Sequence, residues 1–163
     1  MENKTTTAKS PLAQKYDAAR SNLLLMLVLT AVNIVLLFTS ADLMLLFSAT
    51  IPYVSTIVAM ELFAYGYDVI GYGYVAATVI PLALYLVCWI LSKKKVGWMI
   101  TAFVLFILDT IYMAYIYISA GDASGILDVV IHALVLYYLF VGVKSGLALK
   151  NQPEEVDAEV ELK

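Results

Sequence analysis

The sequence contains one cysteine, Cys88, and one histidine, His132, among 163 residues. A single thiol excludes an intrachain disulfide and a thiolate zinc cluster. One imidazole beside a few carboxylates is a poor zinc set, because zinc favours more nitrogen and sulfur donors. No metal and no cofactor is therefore expected. Charge is scarce too. Asp, Glu, Lys and Arg make up 14% of the chain, against about 25% in ordinary soluble domains. The net charge of -3 comes with no basic patch carrying interleaved aromatics, so nucleic acid is not an expected partner. Enzyme signatures are also missing. No Gly-rich phosphate loop ends in Lys-Ser or Lys-Thr, no Gly-x-Ser-x-Gly elbow occurs, and no helix pairs two histidines.

What the sequence has instead is apolar length. Hydrophobic residues form 63% of the chain, and the mean hydropathy is +0.88. A soluble domain of this size cannot hide so much apolar surface, because its surface-to-volume ratio is too high. Lipid is the solvent that suits it. A membrane span needs about 20 apolar residues to cross roughly 30 Å of hydrocarbon. Residues 21–40, 75–92, 97–118 and 126–147 meet that condition. The stretch 43–64 is apolar but contains Pro52 and Glu61.

Charge decides how 43–64 is read. Short cytoplasmic loops collect Lys and Arg. With four spans, Lys4, Lys9, Lys15 and Arg20 share one side with Lys93, Lys94 and Lys95 and with Lys144, Lys150 and Lys163. The other side then holds Asp42, Glu61, Asp68 and Asp122 and no basic residue. Five spans destroy this separation. The expectation is an all-α, four-transmembrane-helix bundle with both termini cytoplasmic. Residues 42–74 form an outer-side element, either a re-entrant pair of half-helices broken near Pro52 or a helix lying in the interface. Tyr65, Tyr67, Tyr72 and Tyr74 suit an interfacial belt, and Tyr53, Glu61 and Asp68 are the candidate contacts of that outer loop. Segment 1–20 reads as cytoplasmic, and the acidic tail 148–163 as disordered.

Polar residues inside spans are costly to bury, so they carry the functional information. With about 1.5 Å of rise per residue, Asn33 and Asp109 each lie about 18 Å above the inner ends of their spans. His132 lies about 9 Å below the outer end of its own. These residues therefore occupy one layer, slightly outside the midplane. Tyr112 is three residues from Asp109 and is expected on the same face. Asp128 is four residues from His132, where its carboxylate is placed to orient the imidazole. The candidate ligand- or proton-binding set is Asp109, His132, Asp128, Tyr112 and Asn33. Each also has a structural reading, as a hydrogen-bonded link between helices. Gly142 and Gly146 have the spacing of a close helix contact, within the bundle or at a homodimer seam.

The runs Ala19-Arg20-Ser21-Asn22-Leu23-Leu24, Val32-Asn33, Phe47-Ser48-Ala49 and Pro52-Tyr53 resemble a family of small, uncharacterised bacterial multi-pass membrane proteins. The resemblance covers the first third of the chain. It implies a bacterial inner membrane and assigns no activity, and it draws attention to Arg20, Asn22, Asn33 and segment 48–53. The expected function is a non-enzymatic membrane protein that binds a partner, a lipid or a small ligand through the outer-side polar layer. The alternatives are a small transporter or channel-like subunit with Asp109 and His132 as a proton or cation relay, and a membrane enzyme acting on lipid.

Overall fold

A computed structural model describes residues 9–39, 45, 47–121 and 125–152. The acidic tail from 153 onward, the first eight residues, Asp42 and Asp122 lie outside the described residues. Five helices follow one another: α1 (Pro11–Phe38), α2 (Thr50–Ala64), α3 (Asp68–Ser92), α4 (Gly97–Ala120) and α5 (Ile126–Lys150). Among the described residues there is no strand. Helices α1, α3, α4 and α5 are each long and apolar enough to cross a bilayer. Their outward faces carry exposed Val28, Val35, Ile80, Ile90, Leu108, Ile111, Val130 and Phe140. So continuous an apolar exterior needs lipid around it. The protein is a multi-pass helical membrane bundle.

The four long helices close a ring in which α1 packs on α5, α5 on α4, α4 on α3 and α3 on α1. The end of the ring that carries Arg20, Lys93, Lys94, Lys95 and Lys150 is called the basic end below. Its core is apolar and tightly filled. Leu23, Met26, Met99, Phe106, Cys88 and Leu139 are fully buried there. Helix α1 begins ten residues ahead of its long apolar run. Ser10 accepts a hydrogen bond from the Ala13 N–H, and Pro11 follows at the first helical position, where its missing N–H costs nothing. These first turns tie the basic end together. Arg20 donates to the Trp89 carbonyl and the Ser92 hydroxyl, and Tyr16 donates to the Ser92 carbonyl at 2.7 Å. Three side-chain donors from α1 thus serve the C-terminus of α3, where carbonyls lack helical partners.

Gly142 and Gly146 are buried within this chain. A Cβ on Gly142 would lie 2.5 Å from the Ala19 Cβ, and one on Gly146 would lie 2.5 Å from Val96 Cγ2 and 2.6 Å from Tyr16 Cε2. The faces of both glycines are filled by α1 and by the start of α4, which leaves no room for a second copy to dock on them.

Helix α2 differs from the other four. Its 15 residues rise about 22 Å, too little to cross hydrocarbon. It starts inside the ring, against α1, α3 and α4, and runs antiparallel to α3 towards the end opposite the lysines. Pro52 does not break a helix here. It sits at the third helical position, where its missing N–H has no helical partner to lose. Gly66 supplies the left-handed residue of the α2–α3 turn, at φ 77°. Gly71 lets the Phe63 ring lie against the α3 backbone, since a Cβ there would be 2.7 Å from Phe63 Cε1. Lower down, Thr56 and Thr78 hydroxyls meet at 3.2 Å, and both reach the Pro52 carbonyl. Tyr65, Tyr67, Tyr72 and Tyr74 are exposed on this hairpin. By rise per residue, the hairpin reaches about 9 Å further than the end of α1.

Candidate functional site

The start of α2 has no side chain of its own to cap it. Its first N–H groups are buried in the ring, where an unpaired donor costs about 1–3 kcal/mol. Helix α4 supplies the acceptor. Asp109 is 1% exposed, and its two carboxylate oxygens accept from the Thr50 N–H at 2.8 Å and the Ile51 N–H at 2.7 Å. A carboxylate at a helix N-terminus also meets the positive end of the helix dipole. Asp109 therefore acts as the N-terminal cap of a helix 59 residues away in sequence.

The segment leading into α2 is held with similar care by α1. The Asn33 amide donates to the Leu45 carbonyl at 2.6 Å and to the Ser48 hydroxyl at 3.0 Å, and its oxygen accepts from the Leu45 N–H at 2.7 Å. The Ala49 N–H donates to the Thr30 hydroxyl at 2.8 Å. Between these anchors Phe47 adopts φ 74°. That conformation is rare for a bulky side chain and costs on the order of 1–3 kcal/mol, so it persists only where neighbours over-determine it. Here the hydrogen bonds on either side do so.

Helix α5 adds His132, whose ring stacks on Phe106 at 5.1 Å between centroids. Its Nδ1 lies 2.9 Å from the Asp128 backbone carbonyl. A carbonyl only accepts, so Nδ1 carries the hydrogen. Nε2 then faces the Thr50 hydroxyl at 3.2 Å and Asp109 Oδ2 at 3.3 Å. A doubly protonated ring donates from Nε2 to the carboxylate. A neutral ring accepts at Nε2 from the threonine hydroxyl. Among the described residues, no buried side-chain nitrogen or oxygen lacks a partner.

A cavity of about 150 Å³ opens beside this cluster on the side away from the lysines. Phe47, Ser48, Thr50 and Tyr53 line one wall, and Met113, Tyr117, Asp128 and His132 line the other. The Asp128 carboxylate accepts from the Tyr117 hydroxyl. Gly125 allows this approach, because a Cβ there would collide with the Tyr117 ring.

The layer inferred from helical rise thus contains Asn33, Asp109 and His132, but the imidazole is oriented by a different group from the expected carboxylate. Asn33 binds the segment before α2. It is the Asp128 backbone carbonyl that orients the imidazole, while the Asp128 side chain turns to Tyr117. Tyr112 does not join the site and is 38% exposed. A step of three residues rotates it about 60° away from Asp109, and Met113, one residue on and about 40° away, takes the inward place. Tyr53 lines the cavity, whereas Glu61 and Asp68 are exposed further along the hairpin. Asp68 sits in the first turn of α3, where the helix dipole favours it.

Tyr117 belongs to the site without having been singled out by sequence, whereas Phe47, Ser48 and Thr50 fall in or beside the segment 48–53 to which the resemblance points. Pro52, expected to break a helix, instead stands in the first turn of one, three residues into α2. The histidine, carboxylate and threonine do not form a hydrolytic triad. In a triad the acid holds Nδ1 and the nucleophile faces Nε2. Here acid and hydroxyl share Nε2, and both carboxylate oxygens are already committed to backbone. Among the described residues, no group of three His, Cys, Asp or Glu side chains converges to hold a metal.

The architecture is a four-span ring with a short helix capped from within. No known protein family, curated protein or solved structure matches the chain.

Proposed function

We propose that this protein is a non-enzymatic membrane protein that binds a small cationic group in the cavity beside His132. One observation carries the reading: a largely apolar, aromatic-walled cavity with a carboxylate in its lining opens away from the basic end, while the path past it is closed. Below Asp109 the ring is packed with buried Met26, Tyr85, Met99, Phe106 and Leu139. That packing favours binding over the relay alternative, which needs a continuing polar path. The volume of about 150 Å³ is below the roughly 300 Å³ of ordinary ligand sites, so it suits a single chemical group. Asp128 supplies a carboxylate, and Phe47, Tyr53 and Tyr117 supply aromatic rings. That combination recognises ammonium, because ring faces attract cations.

The setting belongs to the same proposal. The resemblance of the first third favours a bacterial inner membrane. The basic end, with Arg20, Lys93, Lys94, Lys95 and Lys150, faces the cytoplasm under the positive-inside rule. The cavity then faces outward, below the tyrosines of the α2–α3 hairpin.

Purified protein in detergent is expected to melt higher with ethanolamine, choline or a short diamine than with neutral alcohols of the same size. Saturating ligand should raise the midpoint by several degrees, since about 1 kcal/mol moves a chain of this length by roughly 2–4 °C. Asp128→Asn and Tyr53→Ala should each remove most of the shift. An equal response to amines and alcohols, or a full response from Asp128→Asn, contradicts the proposal.

A further inference from the structure

The basic end carries a second cavity, on the opposite side of the packed core from the first. It measures about 630 Å³ and opens between the start of α1, the α3–α4 turn and the last turns of α5. Lys93, Lys94, Lys95 and Lys150 line it, and among the described residues no carboxylate does. An adjoining hollow of about 500 Å³ shares Tyr16 and Lys93 and adds Lys9, Arg20 and Trp89. Its one carboxylate among the described residues, Asp17, is engaged by Lys9 at 2.6 Å and by Arg20 at 4.0 Å.

Two further features favour an anion. Helix α4 starts at the larger cavity, with Val96 and Gly97 in its lining. Its first turn has no acidic residue and no side-chain cap, so it presents the positive end of a 24-residue helix. In addition, Gly146 adds no side chain to the floor. Sorting by membrane topology explains why lysines collect at one end. It does not explain why four of them surround a hollow with a helix start and, among the described residues, no counter-charge.

We propose that this cavity binds a phosphate-bearing anionic group, with the headgroup of an anionic phospholipid as its source. The volume lies within the range of about 300–1,000 Å³ for ligand sites. Lysine binds phosphate as a point charge, and basic hollows between spans suit lipid headgroups. Exposed Ile90 and Leu147, near the ends of α3 and α5, leave apolar surface for the acyl chains.

The test uses the full-length protein in a mild non-ionic detergent, with bound lipid counted by native mass spectrometry. Phosphatidylglycerol is expected to be retained at least tenfold over phosphatidylcholine. Lys94→Gln with Lys150→Gln should abolish that preference. Lys15→Gln with Lys144→Gln changes the charge equally but lies outside the cavity, and should preserve it. Circular dichroism confirms that both variants are folded. Displacement of phosphatidylglycerol by millimolar inorganic phosphate supports the site with free phosphate as the source, and no displacement supports the lipid. Equal retention of the two lipids by the unmodified protein, or equal loss in both double variants, overturns the proposal.

Discussion

Asp109→Ala is expected to destabilise the folded protein by about 3–5 kcal/mol, the range for removing one partner of a buried, hydrogen-bonded pair. The substitution strips the acceptors from the Thr50 and Ile51 N–H groups and leaves His132 facing an empty space. Asp109→Asn should cost less, about 1–3 kcal/mol, because one oxygen still accepts while the amide NH₂ meets a donor. Asp68→Asn is the contrasting case. That carboxylate is exposed at the start of α3, and its loss should stay within about 0.5 kcal/mol. Denaturant or SDS unfolding followed by circular dichroism measures all three. An Asp109→Ala protein within 1 kcal/mol of the parent would mean that α2 is held by something else.

Gly142→Leu is expected to prevent α1 from docking on α5. The clash begins at the Cβ, 2.5 Å from the Ala19 Cβ. Neither atom has a rotamer to change, so the two backbones must separate. Gly142→Ala alone should therefore cost about 1–3 kcal/mol, as overpacking does in well-filled cores. The leucine variant should lose its monodisperse gel-filtration peak and expose Lys15 and Arg20 to trypsin. Gly73→Ala provides the comparison, because that helical position has open space around it. Alanine there should be neutral or stabilising by up to about 1 kcal/mol. If Gly142→Ala and Gly73→Ala behave alike, the close α1–α5 contact is not present in solution.

The spans and the polar layer were legible for simple reasons. Lipid requires long apolar helices, and 1.5 Å of rise per residue converts sequence position into depth. That arithmetic puts Asn33, Asp109 and His132 at one level from sequence position alone. Lysine placement separated the two ends. The identity of the partners was not legible, because each is a choice among residues far apart in the chain. Asp109 caps α2 from across the ring, so no local pattern such as Ser-x-x-Glu announces it. Asp128 and His132 stand four apart, which fixes their proximity but not which oxygen takes the imidazole hydrogen. Tyr112 misled because three residues and four residues both read as the same face, whereas a packed ring separates them. The early start of α1 escaped the hydropathy pattern because its first turns carry Lys15, Asp17 and Arg20. At these turns the helix continues while the apolar pattern stops.

Helix α2 begins inside the ring and is capped there by Asp109. Amide hydrogen exchange read residue by residue by NMR tests this cap most directly. In the unmodified protein, the Thr50 and Ile51 amides should fall in the slowest-exchanging class, beside those of the α4 core. Asp109→Asn should speed these two selectively and leave the α5 amides unchanged. If Thr50 and Ile51 exchange as fast as the exposed turn at Tyr65 and Gly66, or ignore the loss of Asp109, the cap does not exist and the account fails.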